Sequence, residues 1–196
     1  MNIRTLARIG LSLCALFVSA CTTIPKTGVA VTPAQVDAFQ LSGRVNVRVE
    51  QAAYPGRIRW QHGPETDEVW LYSPIGNAVA HMRQEPDGAL LVTADGKEYR
   101  AQNVNVLARE VLGYELPLDG LQYWVRGLPS PDLEVSEQKE DANGRPELLR
   151  QAGWKIAYLD WAPAGVSGLP SKLDVIGNNM RMRLVVDEWK MIPNGR

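Results

Sequence analysis

From Phe39 onward, apolar and polar residues alternate with a period of two. Phe39, Leu41, Gly43, Val45, Val47 and Val49 fall on one side, and Gln40, Ser42, Arg44, Asn46, Arg48 and Glu50 on the other. This pattern predicts a long strand with one dry face and one wet face. Residues 56–62 repeat it, with Ile58 and Trp60 opposed to Arg57, Arg59 and Gln61, until Gly63-Pro64 stops the run. Apolar-rich runs at 67–72 and 78–82 follow. Pro86-Asp87-Gly88 then turns into a strand at 89–93, and Asp95-Gly96, a dipeptide suited to a two-residue hairpin, leads into 97–102. The first half of the chain therefore reads as an antiparallel meander that can leave one face wet.

The period then changes. Val104, Leu107, Ala108, Val111 and Leu112 recur at spacings of three and four, which predicts an amphipathic helix ended by Gly113. A second short helix is expected over 118–125, carrying Leu121, Trp124 and Val125 before Gly127-Leu128-Pro129. An acidic, hydrophilic passage spans 134–145, and its acidic run, 134–141, reads as a solvated loop. Strands resume at 147–151, 154–161, 172–176 and 180–186, with 162–170 a loop. About ten antiparallel strands accumulate too much twist to stay flat. The fold class expected is mainly β (α+β): a curved sheet curling into a barrel or part-barrel, with the helices against its open side.

Ser73-Pro74-Ile75-Gly76 breaks the pattern, because its proline and glycine make a turn and leave a large apolar side chain near the tip. Full burial of an isoleucine is worth roughly 1.5–3 kcal/mol. Ile75 therefore either folds back under the sheet edge or reaches a membrane or an acyl chain.

The N-terminus changes the setting. Arg4 and Arg8 precede an apolar run, 9–18, too short to span a bilayer comfortably, and Val18-Ser19-Ala20-Cys21 follows. This order resembles the bacterial lipobox. The resemblance implies a cleaved signal peptide over 1–20, an S-diacylglycerol and an N-acyl chain on Cys21, a flexible tether over 21–31 and one domain over 32–196. Within that domain Thr32-Pro33 offers an N-cap and a first-turn proline for a short helix, 33–38. The sequence has two cysteines, Cys14 and Cys21, so the mature domain has no disulfide and depends on its core. Thr22 follows the lipobox cysteine where inner-membrane lipoproteins of enterobacteria commonly have aspartate. By that resemblance the protein belongs on the outer membrane, facing the periplasm.

Charge and motifs remove several function classes. With 21 Lys and Arg against 22 Asp and Glu, bulk charge does not argue for nucleic acid. His62 and His81 lack metal-ligand spacing and read as ordinary surface or rim residues. Gly165-Val166-Ser167-Gly168 resembles a nucleophile elbow, but its second glycine comes one position early. No phosphate-binding loop is present. A non-enzyme with no metal, and no cofactor beyond the lipid on Cys21, is expected. What remains is an apolar surface: Leu41, Val45, Val47, Ile58, Trp60, Val69, Leu71 and Leu90 on the sheet, covered by Val104, Leu107 and Val111 of the helix. Alternation leaves open whether this surface is a filled core or lines a cavity.

Several segments then carry a family resemblance through their order and spacing. They are Leu41-Ser42-Gly43-Arg44, Ser73-Pro74-Ile75-Gly76, Asp95-Gly96-Lys97-Glu98-Tyr99 and Leu116-Pro117-Leu118 with Leu121 and Trp124. Gly127-Leu128-Pro129 and the tail from Leu184 through Asp187-Glu188-Trp189 complete the set. Over essentially the whole mature chain, they resemble the LolB family of outer-membrane lipoprotein receptors. The resemblance implies a half-open β-barrel with a helical lid over an apolar cavity lined by the residues named above. It also implies a monomer that accepts the acyl chains of triacylated lipoproteins from a LolA-like periplasmic carrier. Cargo would then be placed in the inner leaflet of the outer membrane, among its phospholipids, without nucleotide hydrolysis. Family members carry an exposed leucine on a protruding loop used in the membrane step, and Ile75 stands at the matching position, with Pro74 and Gly76 shaping the loop. The alternative is a structural outer-membrane lipoprotein that binds a protein partner through its sheet. A lipid-active hydrolase is a third reading, but it lacks a credible nucleophile.

Overall fold

Alternation becomes architecture in the computed structural model, which describes residues 38–112, 117–163, 168–177 and 179–192. Six strands come first: β1 (Phe39–Val49), β2 (Ala52–His62), β3 (Asp67–Tyr72), β4 (Ala78–Glu85), β5 (Gly88–Thr93) and β6 (Glu98–Ala101). Each is antiparallel to its predecessor. Two helices follow, α1 (Val104–Leu112) and α2 (Leu118–Trp124). Five more strands complete the order: β7 (Val135–Glu140), β8 (Pro146–Gln151), β9 (Trp154–Trp161), β10 (Pro170–Gly177) and β11 (Met180–Met191). Because β1 also pairs with β11, the two meanders join into one 11-stranded sheet, β6-β5-β4-β3-β2-β1-β11-β10-β9-β8-β7. The helices connect its two free edges. Helix α1 packs on β5 and β6, and α2 joins the core formed with β1 and β8 to β11, so both cross one side of the curved sheet. This is a half-open barrel with a helical lid, mainly β as the pattern predicts.

The bend has a local cause at the central pairing. Between Ser42 and Gly43 the β1–β11 register shifts, so Gly43 faces Val186 and Asp187 is the extra residue of a bulge. A Cβ on Gly43 would lie 2.2 Å from the Val185 carbonyl oxygen, so only glycine permits this approach. The bulge also explains why β11 runs past the expected 180–186. Its inward positions step from Val186 to Trp189, which breaks the alternation. Strand β2 starts before the expected residue 56 because Ala52 to Pro55 pair with β1 alone, where a proline can be accommodated.

One expected loop is a strand. Within the acidic stretch, Val135–Glu140 is strand β7, not solvated loop. Its side chains are mostly exposed and it pairs only with β8, so no dry face imposes an alternation. Charges there keep an open edge from pairing with other chains. Residues 33–37 of the helix expected over 33–38, the lipobox, Cys21, the tether and 165–167 lie outside the described residues.

Both helices are tied to the sheet by polar contacts. The Asn103 side chain caps α1 by accepting from the Val106 amide at 3.0 Å, and Gln84 Oε1 of β4 accepts from the Val104 amide at 2.8 Å. Helix α2 ends in a Schellman turn: Leu128 N–H donates to the Tyr123 carbonyl, Gly127 N–H to that of Trp124, and Gly127 has φ +82°. Trp124 is fully buried against Trp154, and its ring leaves no room for a Cβ on Gly120.

Candidate functional site: an apolar trough and a protruding loop

Strand register assigns the faces. Leu41, Val45 and Val47 of β1 share the inner face with Ile58 and Trp60 of β2 and Val69 and Leu71 of β3. Leu90 does not belong to this set. It pairs with Arg83, whose own partner is Glu68, so it lies on the outer face, and Ala89 and Leu91 point inward instead. The cause is the unbroken apolar run from Ala89 to Val92, which gives no phase, and a one-residue error reverses the face. The trough also contains residues that alternation alone did not connect to it. Met82 pairs with Val69 across β3–β4, and Leu184 and Met182 face Val45 and Val47 across β1–β11. Pairing between the first and last strands was the missing information.

The inner face has two halves. Around α2 it is a filled core: Phe39, Leu41, Ile156, Leu173 and Val175 are fully buried. Val45, Trp60 and Val69 are also buried, so they support the floor instead of offering open surface. Val47, Val49, Ile58, Leu71 and Met82 are only partly covered and form an open apolar strip on β1 to β4. On α1, Leu107 is buried while Val104 and Val111 stay half-buried. The Tyr158 hydroxyl is buried on the inner face without a hydrogen-bond partner, and burial pushes its phenol above the usual range.

The strip runs toward the β3–β4 loop. Ser73 N–H donates to the Asn77 carbonyl at 2.8 Å, Gly76 N–H to that of Ser73 at 2.9 Å, and Asn77 N–H to Ser73 Oγ at 3.1 Å. With Gly76 at φ +94°, the turn is closed by its own backbone and needs no contact from the Ile75 side chain. Ile75 is 85% exposed, so it does not fold under the sheet edge. Pro74, Gly76, Asn77 and Val79 around it are exposed as well.

Of the two histidines expected at the surface or rim, His62 departs and His81 does not, its side chain being 33% exposed on the outer face. His62 is buried, packs on Phe39 and has Nδ1 2.8 Å from Asp67 Oδ1, the same oxygen that accepts from Trp60 Nε1 at 2.6 Å. His81 stacks on Trp70, with centroids 5.0 Å apart, and its Nε2 lies 2.8 Å from Glu68 Oε1. Burial raises the Glu68 pKa, but hydrogen bonds from Arg83 and His81 outweigh it, so the carboxyl titrates below its ordinary value. These are structural networks on aromatic surfaces. Among the described residues, no group of three His, Cys, Asp or Glu could hold a metal ion.

The family model described as "Outer membrane lipoprotein LolB" matches residues 37–189. The outer-membrane lipoprotein LolB of Nitrosomonas europaea is 42% identical over 172 residues, covering 84% of this chain and 81% of that protein. Its counterpart from Thiobacillus denitrificans is 38% identical, covering 88% and 91%, and that from an Azoarcus species is 37% identical, covering 89% and 90%. Among solved structures, a LolA superfamily protein from Nitrosomonas europaea matches with a TM-score of 0.48 at 9% identity, over 81% of this chain and 88% of its own.

Proposed function

Because the chain belongs to the LolB family of outer-membrane lipoproteins, we propose that it is the outer-membrane receptor that takes triacylated lipoproteins from a LolA-like carrier and delivers them to the inner leaflet. The observation that carries this reading is continuity: an open apolar strip on β1 to β4 leads to a loop whose tip, Ile75, is 85% exposed. Acyl chains would lie along Val47, Ile58, Leu71 and Met82 beneath α1. Pro74 and Gly76 would hold Ile75 in the position from which it enters the bilayer.

The energetics require no nucleotide and no catalytic group. Removing an acyl chain from water is worth about 0.8 kcal/mol per methylene, so a free triacylated protein cannot cross water. Cargo instead moves toward whichever surface covers its chains more completely. A half-open trough covers one side of a chain and a bilayer covers all of it, so release is downhill as long as the trough does not bind too well. The lipid on Cys21 would hold the domain at the membrane. From Cys21 to Ala38 the chain spans at most roughly 60 Å when extended, enough for the loop to reach the surface.

The test uses the chain from Thr22 onward, which retains the complete sheet and both helices, mixed with carrier loaded with a fluorescent lipoprotein. The cargo is expected to co-elute with this chain after mixing. Cargo that stays on the carrier would defeat the proposal.

A further inference from the structure

The outer face carries an arrangement that folding alone does not favour. Arg44 of β1 lies directly opposite Arg57 of β2, and Arg48 of β1 directly opposite Arg181 of β11. Like charges in direct cross-strand register are destabilising. The second pair continues along one cross-strand row through Ile176 of β10 to Lys155 of β9 and Arg150 of β8. Intramolecular acids offset only part of this charge. Asp174 holds Arg181 and Arg183 at 2.6 and 2.7 Å, Asp187 holds Arg44 at 2.8 Å, and Glu137 holds Arg150 at 2.8 Å. Arg48, Arg57 and Lys155 have no acidic partner among the described residues, and Glu50 in the β1–β2 turn is the exposed acid nearest in sequence to Arg48. Asn46, Arg48, Arg181 and Arg183 line a shallow groove of about 120 Å³, and Asn46 Oδ1 has no hydrogen-bond partner.

The position of this charge points to its partner. Arg57 pairs with Tyr72, the last residue of β3, and Ile75 follows three residues later, at most about 10 Å farther along the strand direction. Arg48 lies four positions beyond the Arg57 level on the same ladder, so the Arg48–Arg181–Lys155 row and Ile75 occupy nearly the same level of the sheet. At the opposite end, Arg83 is matched by Glu68 and Lys190 by Glu188, and Arg59 lies over the Trp70 ring, 5.4 Å from its centroid. An exposed apolar tip beside unmatched cations is the combination that holds a protein on an anionic bilayer.

We propose that this outer-face patch, centred on Arg48, Arg57, Arg181 and Lys155, docks on the anionic phosphate head groups of the bilayer that Ile75 enters. It rests on the reading that the loop meets the membrane, and adds the lipid chemistry and the orientation: the outer face tilts toward the head groups, leaving the trough mouth free for cargo. Guanidinium groups suit this role because they bind phosphate oxygens in pairs.

The test is vesicle co-sedimentation of the chain from Thr22 onward, using phosphatidylcholine alone or mixed with phosphatidylglycerol, at low and high salt. The parent is expected to prefer the anionic vesicles, and salt to erase the preference. The triple variant R48Q/R57Q/K155Q removes cations without acidic partners and relieves two like-charge pairs, so its circular dichroism should match the parent and its melting temperature should be no lower. Its binding to anionic vesicles should fall roughly 100-fold, while binding to phosphatidylcholine stays the same. Ile75→Gln, which adds no charge, should lower binding to both vesicle types and keep their ratio. If it changes neither, the loop reading fails while the charge preference still stands or falls on its own data. Equal binding of parent and triple variant to anionic vesicles overturns the patch. Unchanged vesicle binding combined with slower cargo uptake from the carrier also overturns it, in favour of an acidic protein surface.

Discussion

Replacing Gln151 with leucine keeps the side-chain volume and removes the polar latch beneath α2. Gln151 is fully buried at the end of β8. Its Oε1 accepts from Trp124 Nε1 at 2.8 Å and from the Ser130 amide at 2.9 Å, while its Nε2 donates to the Ser130 carbonyl at 2.7 Å and to that of Leu133 at 2.9 Å. Leucine would leave two buried N–H donors and two carbonyls without partners. At about 1–3 kcal/mol per stranded group, partly relieved by local relaxation, the loss is about 4 kcal/mol. That is a large share of a typical domain's 5–15 kcal/mol. The assay is urea denaturation with a parallel thermal melt, where the midpoint should fall by about 8–16 °C. Gln151→Glu refines the argument because the carboxylate keeps both acceptor contacts but meets two carbonyl oxygens. Its folded pKa should rise above the unfolded value, so the variant should lose stability as pH climbs from about 4 upward. A leucine variant that melts with the parent would refute the claim that this glutamine holds α2 in place.

Other changes probe the rest of the frame. Tyr158→Phe removes the unpartnered buried hydroxyl and should raise stability by about 1 kcal/mol in the same denaturation assay; a loss would show that the hydroxyl has a partner. Gly43→Ala places a methyl against the Val185 carbonyl and should cost more than about 3 kcal/mol or abolish soluble expression, whereas a stable variant would mean that the bulge is not needed. Asp174, whose side chain is 4% exposed, is held below the ordinary carboxyl range first by its bond from Arg183, then by Arg181, against the opposing effect of burial. Its contribution should be complete above the unfolded value near pH 4 and disappear as pH falls through the lowered folded value. The stability difference between parent and Asp174→Asn, about 1–2 kcal/mol at neutral pH because both arginines are partly exposed, should therefore shrink in acid; a difference that grows in acid would contradict the assignment.

What the sequence revealed depended on whether a residue's role was local. Alternation in β1 and β2 marked Leu41, Val45, Val47, Ile58 and Trp60 as sharing one face, because a half-buried strand repeats its burial every two residues. The Pro-Gly turn marked Ile75, but only three dimensions could show the side chain standing clear of the sheet. Leu90 was placed on the wrong face because its run of apolar neighbours carries no phase. Strand β7 was hidden because an edge strand exposed on both sides has no burial pattern to leave in sequence. The β1–β11 pairing, the Gln151 latch and the opposed arginines all join residues far apart in the chain. No local periodicity encodes them, although Gln151 beside the β8–β9 turn could be noticed as a polar residue at an inward strand position.

The central claim, that the trough receives acyl chains and the loop helps them leave, separates acceptance from release, and one residue distinguishes the steps. Burying Ile75 in a bilayer is worth roughly 1.5–3 kcal/mol, equivalent to about 10- to 150-fold in rate if all of it is felt in the release step. The decisive measurement is two-stage transfer of fluorescent lipoprotein, from carrier to the chain beginning at Thr22 and then to liposomes, with parent and Ile75→Glu compared at equal loading. The account predicts equal loading and release slowed at least tenfold. Normal release by the variant, or failure of both proteins to take up cargo, would contradict it.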